Sequence, residues 1–220
     1  MRTFIVFVFA VSAASVGVAQ KFALDSARNI TPLGTKVDVA EYRGRKAVRV
    51  VEPKINEGGE LALIDGVTFQ NGTIEAEIAG LPAKGAAPDS RGFIGIAFRI
   101  QREPLKYEAF YLRPTNGRAD DQLRRNHSTQ YVSEPEFPWF RLRKENPGVY
   151  ESYVDLDAGA WTKIRIVVDG VKARLHVHGA EQPALVVNDL KLGDRAGGIG
   201  LWIGQGTEAY FSSLNVSATK

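Results

Sequence analysis

The sequence predicts an all-β protein built as a two-sheet antiparallel sandwich, and three observations lead to this prediction. Many short segments alternate apolar with polar residues at every second position, which is typical of half-buried antiparallel strands. Gly, Pro, Asn and Asp separate these segments, as turn residues do. Helical periodicity is nearly absent, and this combination favours a β-sandwich or jelly roll.

The chain begins with a segment that fits an export signal. Arg2 precedes an apolar run from Phe4 to about Ala14, and small residues follow as far as Ala19. This pattern predicts a signal peptide over residues 1–19, and a run this short is not a membrane-spanning helix. We therefore expect an exported protein, periplasmic or secreted, without a membrane partner.

The remainder, residues 20–220, is long enough for a single jelly-roll domain with one hydrophobic core. The sequence has no cysteine, so this core must hold without disulfides. Once the signal peptide is removed, 27 basic residues face 25 acidic ones, and the pI of about 9.1 reflects only this small excess. Nucleic acid is therefore not expected as a partner, and we expect a monomer.

The first predicted strands lie in KAVRVVEP (46–53), ELALI (60–64) and GTIEAEIAG (72–80). Two more, RGFIGIAFRI (91–100) and YEAFYLRP (107–114), alternate so clearly that their faces can be assigned. The residues predicted to face the core are Ile94, Ile96, Phe98, Ile100, Phe110 and Leu112. The residues predicted to face outward are Gly95, Ala97, Arg99, Tyr107, Ala109, Tyr111 and Arg113.

The outward face of these two strands can form a floor for a flat ligand ring. Tyrosine offers a stacking surface and arginine offers forked hydrogen-bond donors, while the small residues between them leave room. The alternative is an ordinary half-solvated sheet face.

Between Pro114 and Tyr150 the sequence shows no strand pattern, and three prolines interrupt it. Seven basic and four acidic residues lie between Arg113 and Lys144, which makes this the locally positive part of the chain. A long irregular segment in a compact domain is usually functional or disordered, and its aromatic residues argue against disorder.

The strand pattern resumes in WTKIRIVVDGVKARLHVHG (161–179), which predicts a hairpin with its turn at Asp169-Gly170. The residues predicted to share the core are Ile164, Ile166, Val168, Val171, Ala173, Leu175 and Val177. Three further strands are predicted within PALVVNDL (183–190), GGIGLWIG (197–204) and EAYFSSLNVS (208–217).

The order of these segments resembles the concanavalin A-like lectin and glucanase superfamily over about residues 67–216. Within it, the chain is most similar to LamG-like domains of exported bacterial proteins and to the 3-keto-disaccharide hydrolase group. The resemblance implies two curved antiparallel sheets, with sugar bound on the concave face or its rim. The E-x-D-x-x-E strand of the glucanases does not occur here, so catalytic residues do not transfer with the fold.

The candidate site residues lie mainly in the irregular segment. His127, Tyr131, Asp120 and Asp121 are the candidate catalytic groups, with Glu134 or Glu136 as partners of the aspartates in an acid and base pair. The candidate substrate-binding residues are Arg99, Tyr107, Tyr111, Arg113, Asn116, Arg118, Gln122, Arg124, Arg125 and Trp139. Phe140 is predicted to anchor the segment onto the sandwich. The alternative is a surface loop joined by exposed Arg–Asp pairs, which contribute little.

The leading functional hypothesis is a glycoside hydrolase-like protein that cleaves an oligosaccharide or polysaccharide on the concave sheet face, under the loop of residues 113–145. One alternative is a non-catalytic carbohydrate-binding module or a LamG-type adhesion module. Another is a polysaccharide lyase, because clustered arginine suits the planar anion of an acidic glycan.

No cofactor and no catalytic metal are predicted. Folds related by the resemblance often hold a structural calcium ion, and that option stays open. No Asp-rich loop with calcium-ligand spacing requires it, however.

Overall fold

The computed structural model describes residues 18–55 and 61–219, so most of the predicted signal peptide lies outside the described residues. Fifteen strands are named in chain order. They are β1 Val18–Phe22, β2 Ile30–Leu33, β3 Lys36–Tyr42, β4 Arg45–Val51, β5 Leu61–Phe69, β6 Asn71–Pro82, β7 Ile94–Arg102, β8 Leu105–Leu112, β9 Thr129–Glu134, β10 Glu151–Ser152, β11 Thr162–Asp169, β12 Lys172–Val177, β13 Leu185–Val187, β14 Gly197–Ile203 and β15 Thr207–Thr219. Two short helices, α1 Gln122–Arg125 and α2 Trp139–Glu145, and a 3₁₀ turn, Pro114–Asn116, complete the described secondary structure.

The strands form two antiparallel sheets that pack face to face, which confirms the predicted sandwich. Sheet A has the order β13-β12-β11-β6-β15-β4-β3, and β1 also pairs with β15. Sheet B has the order β10-β9-β8-β7-β14-β5-β2. Neighbouring strands are often far apart in sequence, so these pairings depend on long-range contacts.

The predicted hairpin of β11 and β12 delivers its apolar face to the core between the sheets. Six of the seven predicted core residues are buried: Ile164, Ile166, Val168, Ala173, Leu175 and Val177. Val171 is the exception, since its side chain is 43% exposed. It lies directly after the Asp169-Gly170 turn and before β12 begins, so the alternation of the strand does not yet apply to it.

The face assignment of β7 is correct as far as Phe98 and wrong beyond it. Arg99 adopts a left-handed backbone conformation with φ of 55°, and the pairing of β7 with β8 shifts register between Phe98 and Gln101. This β-bulge reverses the alternation. Ile100 therefore packs on the outer face of sheet B, and the Arg99 side chain turns inward, where it is fully buried.

The predicted irregular segment contains a strand that the sequence analysis missed. β9 pairs with β8 inside sheet B, with Gln130 opposite Tyr111. Its polar residues hid the alternation, but Tyr131 faces the core between the sheets and Val132 faces outward. The faces predicted for β8 are confirmed, because Phe110 packs between the sheets and Tyr111 on the outer face.

Candidate functional site

An open cavity of about 740 Å³ lies on the outer face of sheet B. Its lining comes from the strands of sheet B, from the chain between β6 and β7, and from the segment between β8 and α2. The lining residues used below are Asp89, Arg91, Phe93, Tyr111, Arg113, Asn116, Asp121, Arg124, His127, Glu134, Trp139, Phe140, Arg143 and Trp202.

The segment after β8 forms one wall because local contacts turn it back along the sheet. A β-carbon on Gly117 would lie 2.3 Å from the backbone nitrogen of Leu156, so only glycine allows this close approach. Asp121 then caps α1 by accepting a hydrogen bond from the backbone N–H of Arg124 at 3.0 Å. The Asn116 side chain donates to the carbonyl oxygen of His127 at 3.2 Å and ties the wall together.

Aromatic residues form the floor and one rim of the cavity. Tyr111 stacks on Trp202 with ring centroids 4.4 Å apart, and Phe93 meets Tyr111 edge-on. The rings of Tyr111 and Trp202 cover each other, whereas the side chains of Trp139 and Phe140 are 43% and 60% exposed. The apolar surface open to a ligand therefore belongs to the rim.

Phe140 was predicted to anchor the segment onto the sandwich, but the structure shows that it does not. Its side chain is exposed, and the fully buried residue of α2 is Leu142. The helix therefore uses Leu142 to pack on the core and presents Trp139 and Phe140 at the cavity.

Glu151 organises the basic side of the cavity from behind. Arg143 donates to its carboxylate from Nε at 3.0 Å and from Nη2 at 2.7 Å, a bidentate ion pair. Nδ1 of His127 lies 2.9 Å from Oε2 of the same carboxylate. Arg113 is 3.9 Å from it and donates to the Tyr111 hydroxyl at 2.9 Å. One buried carboxylate thus binds Arg143 directly and lies beside Arg113 and His127.

His127 is suited to accept a proton. Burial lowers the pKa of its imidazole, and the positive charges of Arg143 and Arg113 act in the same direction, against the effect of Glu151. The neutral ring is therefore favoured at pH 7. A ring that keeps its proton on Nδ1, facing Glu151, leaves Nε2 as the acceptor.

Seven of the fourteen predicted site residues line the cavity: Tyr111, Arg113, Asn116, Asp121, Arg124, His127 and Trp139. The other seven do not: Arg99, Tyr107, Arg118, Asp120, Gln122, Arg125 and Tyr131. The structure therefore brings together one residue from β8, its neighbours after the strand, and one residue from α2.

Arg99 and Tyr131 belong to a buried network on the opposite face of the sheet, so the structure places them away from the cavity and not within it as predicted. The Tyr131 hydroxyl donates to Oε1 of Glu108 at 2.8 Å and accepts from the backbone N–H of Lys191 at 2.7 Å. Oε2 of Glu108 lies 3.6 Å from Arg99. The side chains of Arg99, Glu108 and Tyr131 face inward and are shielded from solvent. They therefore cannot reach a ligand on the outer face of the sheet.

The remaining predicted residues make other contacts. Arg118 is exposed and pairs with Asp155 and Asp157, and Arg125 bonds to the Tyr153 hydroxyl. Gln122 bonds to Asn126, and Asp120 is exposed away from the cavity. Tyr107 lies on the outer face as predicted, but accepts a hydrogen bond from the Trp202 indole at 3.2 Å and lies outside the lining.

Six residues of the cavity and its surroundings were not predicted: Asp89, Arg91, Phe93, Arg143, Glu151 and Trp202. The alternation of β14 contained a signal for Trp202, because buried Leu201 and Ile203 flank it and turn it outward. Glu151 had no such signal, since only the pairing of β10 with β9 brings it beside Gln130 and the cavity.

Within residues 18–55 and 61–219, no group of three or more histidine and acidic side chains is arranged to hold a metal ion. In the same part of the chain, no helix combines the length and apolar character needed to cross a membrane.

No protein-family model matches the chain, and no curated protein matches its sequence. Solved structures match its fold. A Bacillus subtilis protein of unknown function with a galectin-like fold has a TM-score of 0.60 at 10% identity, over 91% of this chain and 96% of that one. The carbohydrate binding module CBM66 from Bacillus subtilis has a TM-score of 0.55 at 12% identity, over 84% and 97%. A structure described as a native glycosidic hydrolase has a TM-score of 0.50 at 11% identity, over 92% and 97%.

Identities this low establish the fold alone. The narrower resemblance to LamG-like domains and 3-keto-disaccharide hydrolases stays a prediction. The two antiparallel sheets, their order and these structural neighbours together lead to one conclusion: the chain has an antiparallel two-sheet jelly-roll fold, like that of its galectin-like neighbour.

Proposed function

We propose that this protein is exported and binds an oligosaccharide or polysaccharide in the cavity on the outer face of sheet B. The observation that carries the proposal is the exposed aromatic pair of Trp139 and Phe140 beside the arginine-rich wall of a cavity large enough for sugar rings. One structural neighbour is described as a carbohydrate binding module, which supports the same class of ligand.

Each chemical group of a sugar has a counterpart in the cavity. The apolar C–H face of a sugar ring can lie on the exposed indole of Trp139. Hydroxyl groups can accept hydrogen bonds from guanidinium groups and donate them to Asp89, Asp121 and Glu134, all of which line the cavity. Arg143 lies with its guanidinium carbon 4.8 Å from the Trp139 ring centroid, so stacking and hydrogen bonding can act on one ring.

Replacing Trp139 by alanine should weaken glycan binding at least tenfold, about 1.4 kcal/mol, because the stacking surface is lost. Isothermal titration calorimetry with a panel of neutral and acidic glycans measures this effect. Tyr153→Ala is the matched control, since Tyr153 is an aromatic side chain of similar exposure, 42%, outside the cavity. Equal affinities for the two variants and the wild-type protein would place the sugar elsewhere.

A second candidate function is cleavage of a glycosidic linkage, and one observation favours it. Asp121 and Glu134 line the same cavity, so two of the carboxylates considered from the sequence could act as an acid and base pair. His127, held beside Glu151, is a third group able to take a proton, as a lyase requires. Glu136 is instead paired with Lys106 outside the cavity lining.

Asp121→Asn and Glu134→Gln should each lower turnover at least 100-fold while leaving glycan binding within a few-fold of wild type. Asparagine caps a helix as well as aspartate does, so the first variant should keep α1 in place. Product mass and ultraviolet absorbance distinguish the reactions, because hydrolysis adds water and elimination creates an unsaturated sugar. Binding without turnover on every glycan would identify a non-catalytic module.

A further inference from the structure

Arg91 contributes a guanidinium group to the cavity wall with one edge unused. Its Nη1 donates to the carbonyl oxygens of Pro88 at 2.9 Å and Ser90 at 3.1 Å, and these bonds hold the group in place. In the described part of the chain, the opposite edge, formed by Nε and Nη2, has no hydrogen-bond partner. Arg91 lines the cavity, and this pair of donors has no partner among the described residues.

In other arginines of this protein, the edge formed by Nε and Nη2 binds a carboxylate. In the pairs Arg49–Asp38, Arg118–Asp155 and Arg143–Glu151, arginine Nε donates to one carboxylate oxygen and Nη2 donates to the other. Two parallel N–H groups match the spacing of two carboxylate oxygens, which gives this arrangement both strength and directional specificity. Arg91 offers this geometry to the cavity.

Arg124 adds a second positive charge to the cavity wall. Among the described residues, its guanidinium group is hydrogen-bonded only to uncharged groups, which position it without neutralising its charge. Its Nε donates to Oδ1 of Asn116 at 2.9 Å, and its Nη2 donates to the side chain and carbonyl oxygen of Thr115. Burial lowers the pKa of Arg91, and the positive charge of Arg124 lowers it further, by more than Asp89 raises it. An anion between the two guanidinium groups would remove this repulsion.

The acidic groups around the cavity do not occupy this position. No described carboxylate oxygen lies within 4.0 Å of the guanidinium nitrogens of Arg91 or Arg124. Oδ1 of Asp121 is used in the cap of α1, and Glu151 is bound by Arg143. Both guanidinium groups are therefore available to pair with an anion from a ligand.

We propose that Arg91 and Arg124 bind the carboxylate of an acidic sugar, a uronate unit of a glycan, with the carboxylate side-on against Nε and Nη2 of Arg91. The ring of the uronate then lies toward Trp139. This inference rests on the proposed carbohydrate binding in the cavity and adds the class of sugar that the cavity selects.

The test compares three acidic probes, oligogalacturonate, alginate oligosaccharide and hyaluronan oligosaccharide, with the same compounds after chemical reduction of their carboxyl groups. At least one acidic probe should bind the wild-type protein tenfold more tightly than its reduced form, and added sodium chloride should weaken that binding. Arg91→Met should abolish the preference. Arg91→Lys, which keeps the charge but lacks the fork, should keep the salt dependence and lose most of the preference.

Arg118→Met is the matched control, because Arg118 is an exposed arginine outside the cavity, and it should behave as wild type. Equal binding of acidic and reduced probes, or an acid preference that survives in Arg91→Met, overturns the inference. If Trp139→Ala still weakens glycan binding at least tenfold in those cases, the proposed function stands. Tighter binding of chondroitin sulfate than of every uronate probe lacking sulfate assigns the position to sulfate instead. Unchanged glycan binding in both Arg91→Met and Trp139→Ala overturns both proposals together.

Discussion

Arg99→Met should lower the free energy of unfolding by about 3–5 kcal/mol, because it removes the positive partner of the buried Glu108 carboxyl group and the donor to three carbonyl oxygens. The Arg99 guanidinium lies 3.6 Å from Oε2 of Glu108, and both side chains are fully buried. It also donates to the carbonyl oxygens of Gln70, Gly170 and Gly193 at 3.0 Å or less. These carbonyls belong to three separate loops at one end of the sandwich, so a single side chain holds that end together.

Urea denaturation followed by fluorescence measures this loss. Arg118→Met is the matched control, since its ion pairs with Asp155 and Asp157 are exposed and should contribute little to stability. Adding Glu108→Leu to Arg99→Met should recover part of the loss, because the unpaired acid is then removed as well. An Arg99→Met protein as stable as the Arg118→Met protein would mean that the buried pair does not support the fold.

Ile166→Ala should cost about 2–5 kcal/mol of unfolding free energy, as other large-to-small changes in a packed core do. Ile166 has no exposed surface and lies in the middle of β11, opposite Ile74 of β6 and Leu175 of β12. The neighbouring strands are hydrogen-bonded on both sides, so they cannot close the cavity that the change leaves.

Val171→Ala provides the control within the same hairpin. Its side chain is 43% exposed at the turn, and truncation should change the unfolding free energy by less than about 0.5 kcal/mol. Chemical denaturation of both variants gives the comparison. A larger cost for Val171 than for Ile166 would reverse the assigned faces of the hairpin.

Alternation predicted the sandwich and most strand faces because a strand with one buried face must repeat every two residues. Ile164, Ile166 and Val168 were assigned to the core on this basis and are buried. Phe110 and Tyr111 were assigned to opposite faces, and they pack in different clusters. Each strand must bury its own apolar face, so the alternation of apolar residues can be recognised in its sequence.

The β-bulge at Arg99 could not be recognised in the sequence. A left-handed backbone at a non-glycine residue is unfavourable by itself, and nothing near Arg99 in the sequence indicates one. Gln70, Gly170 and Gly193 supply the acceptors that make this conformation favourable, and they lie far from Arg99 along the chain. Only the folded arrangement brings them together.

The cavity shows the same division. The concentration of arginine, amide and aromatic groups after Arg113 indicated a segment that does line the cavity, since polar residues gathered in one segment are visible in the sequence. Which of those side chains reach the cavity was decided by geometry. Arg124 lines it and Arg125 does not, because successive residues of a helical turn point about 100° apart.

The alternation of apolar and polar residues, with the turn residues between the segments, by itself determined that this protein is an antiparallel sandwich, and composition alone directed the prediction of a site to the segment after β8. The tertiary structure alone decided that Tyr131 faces the core, because the pairing of β9 with β8 sets its side. It alone brought Glu151 behind His127 and placed Arg91 and Arg124 against the same residue, Thr115. The burial of a strand is visible in the alternation of its own residues. A site combines residues from separate strands and loops, and their positions depend on long-range strand pairing that no local sequence pattern encodes.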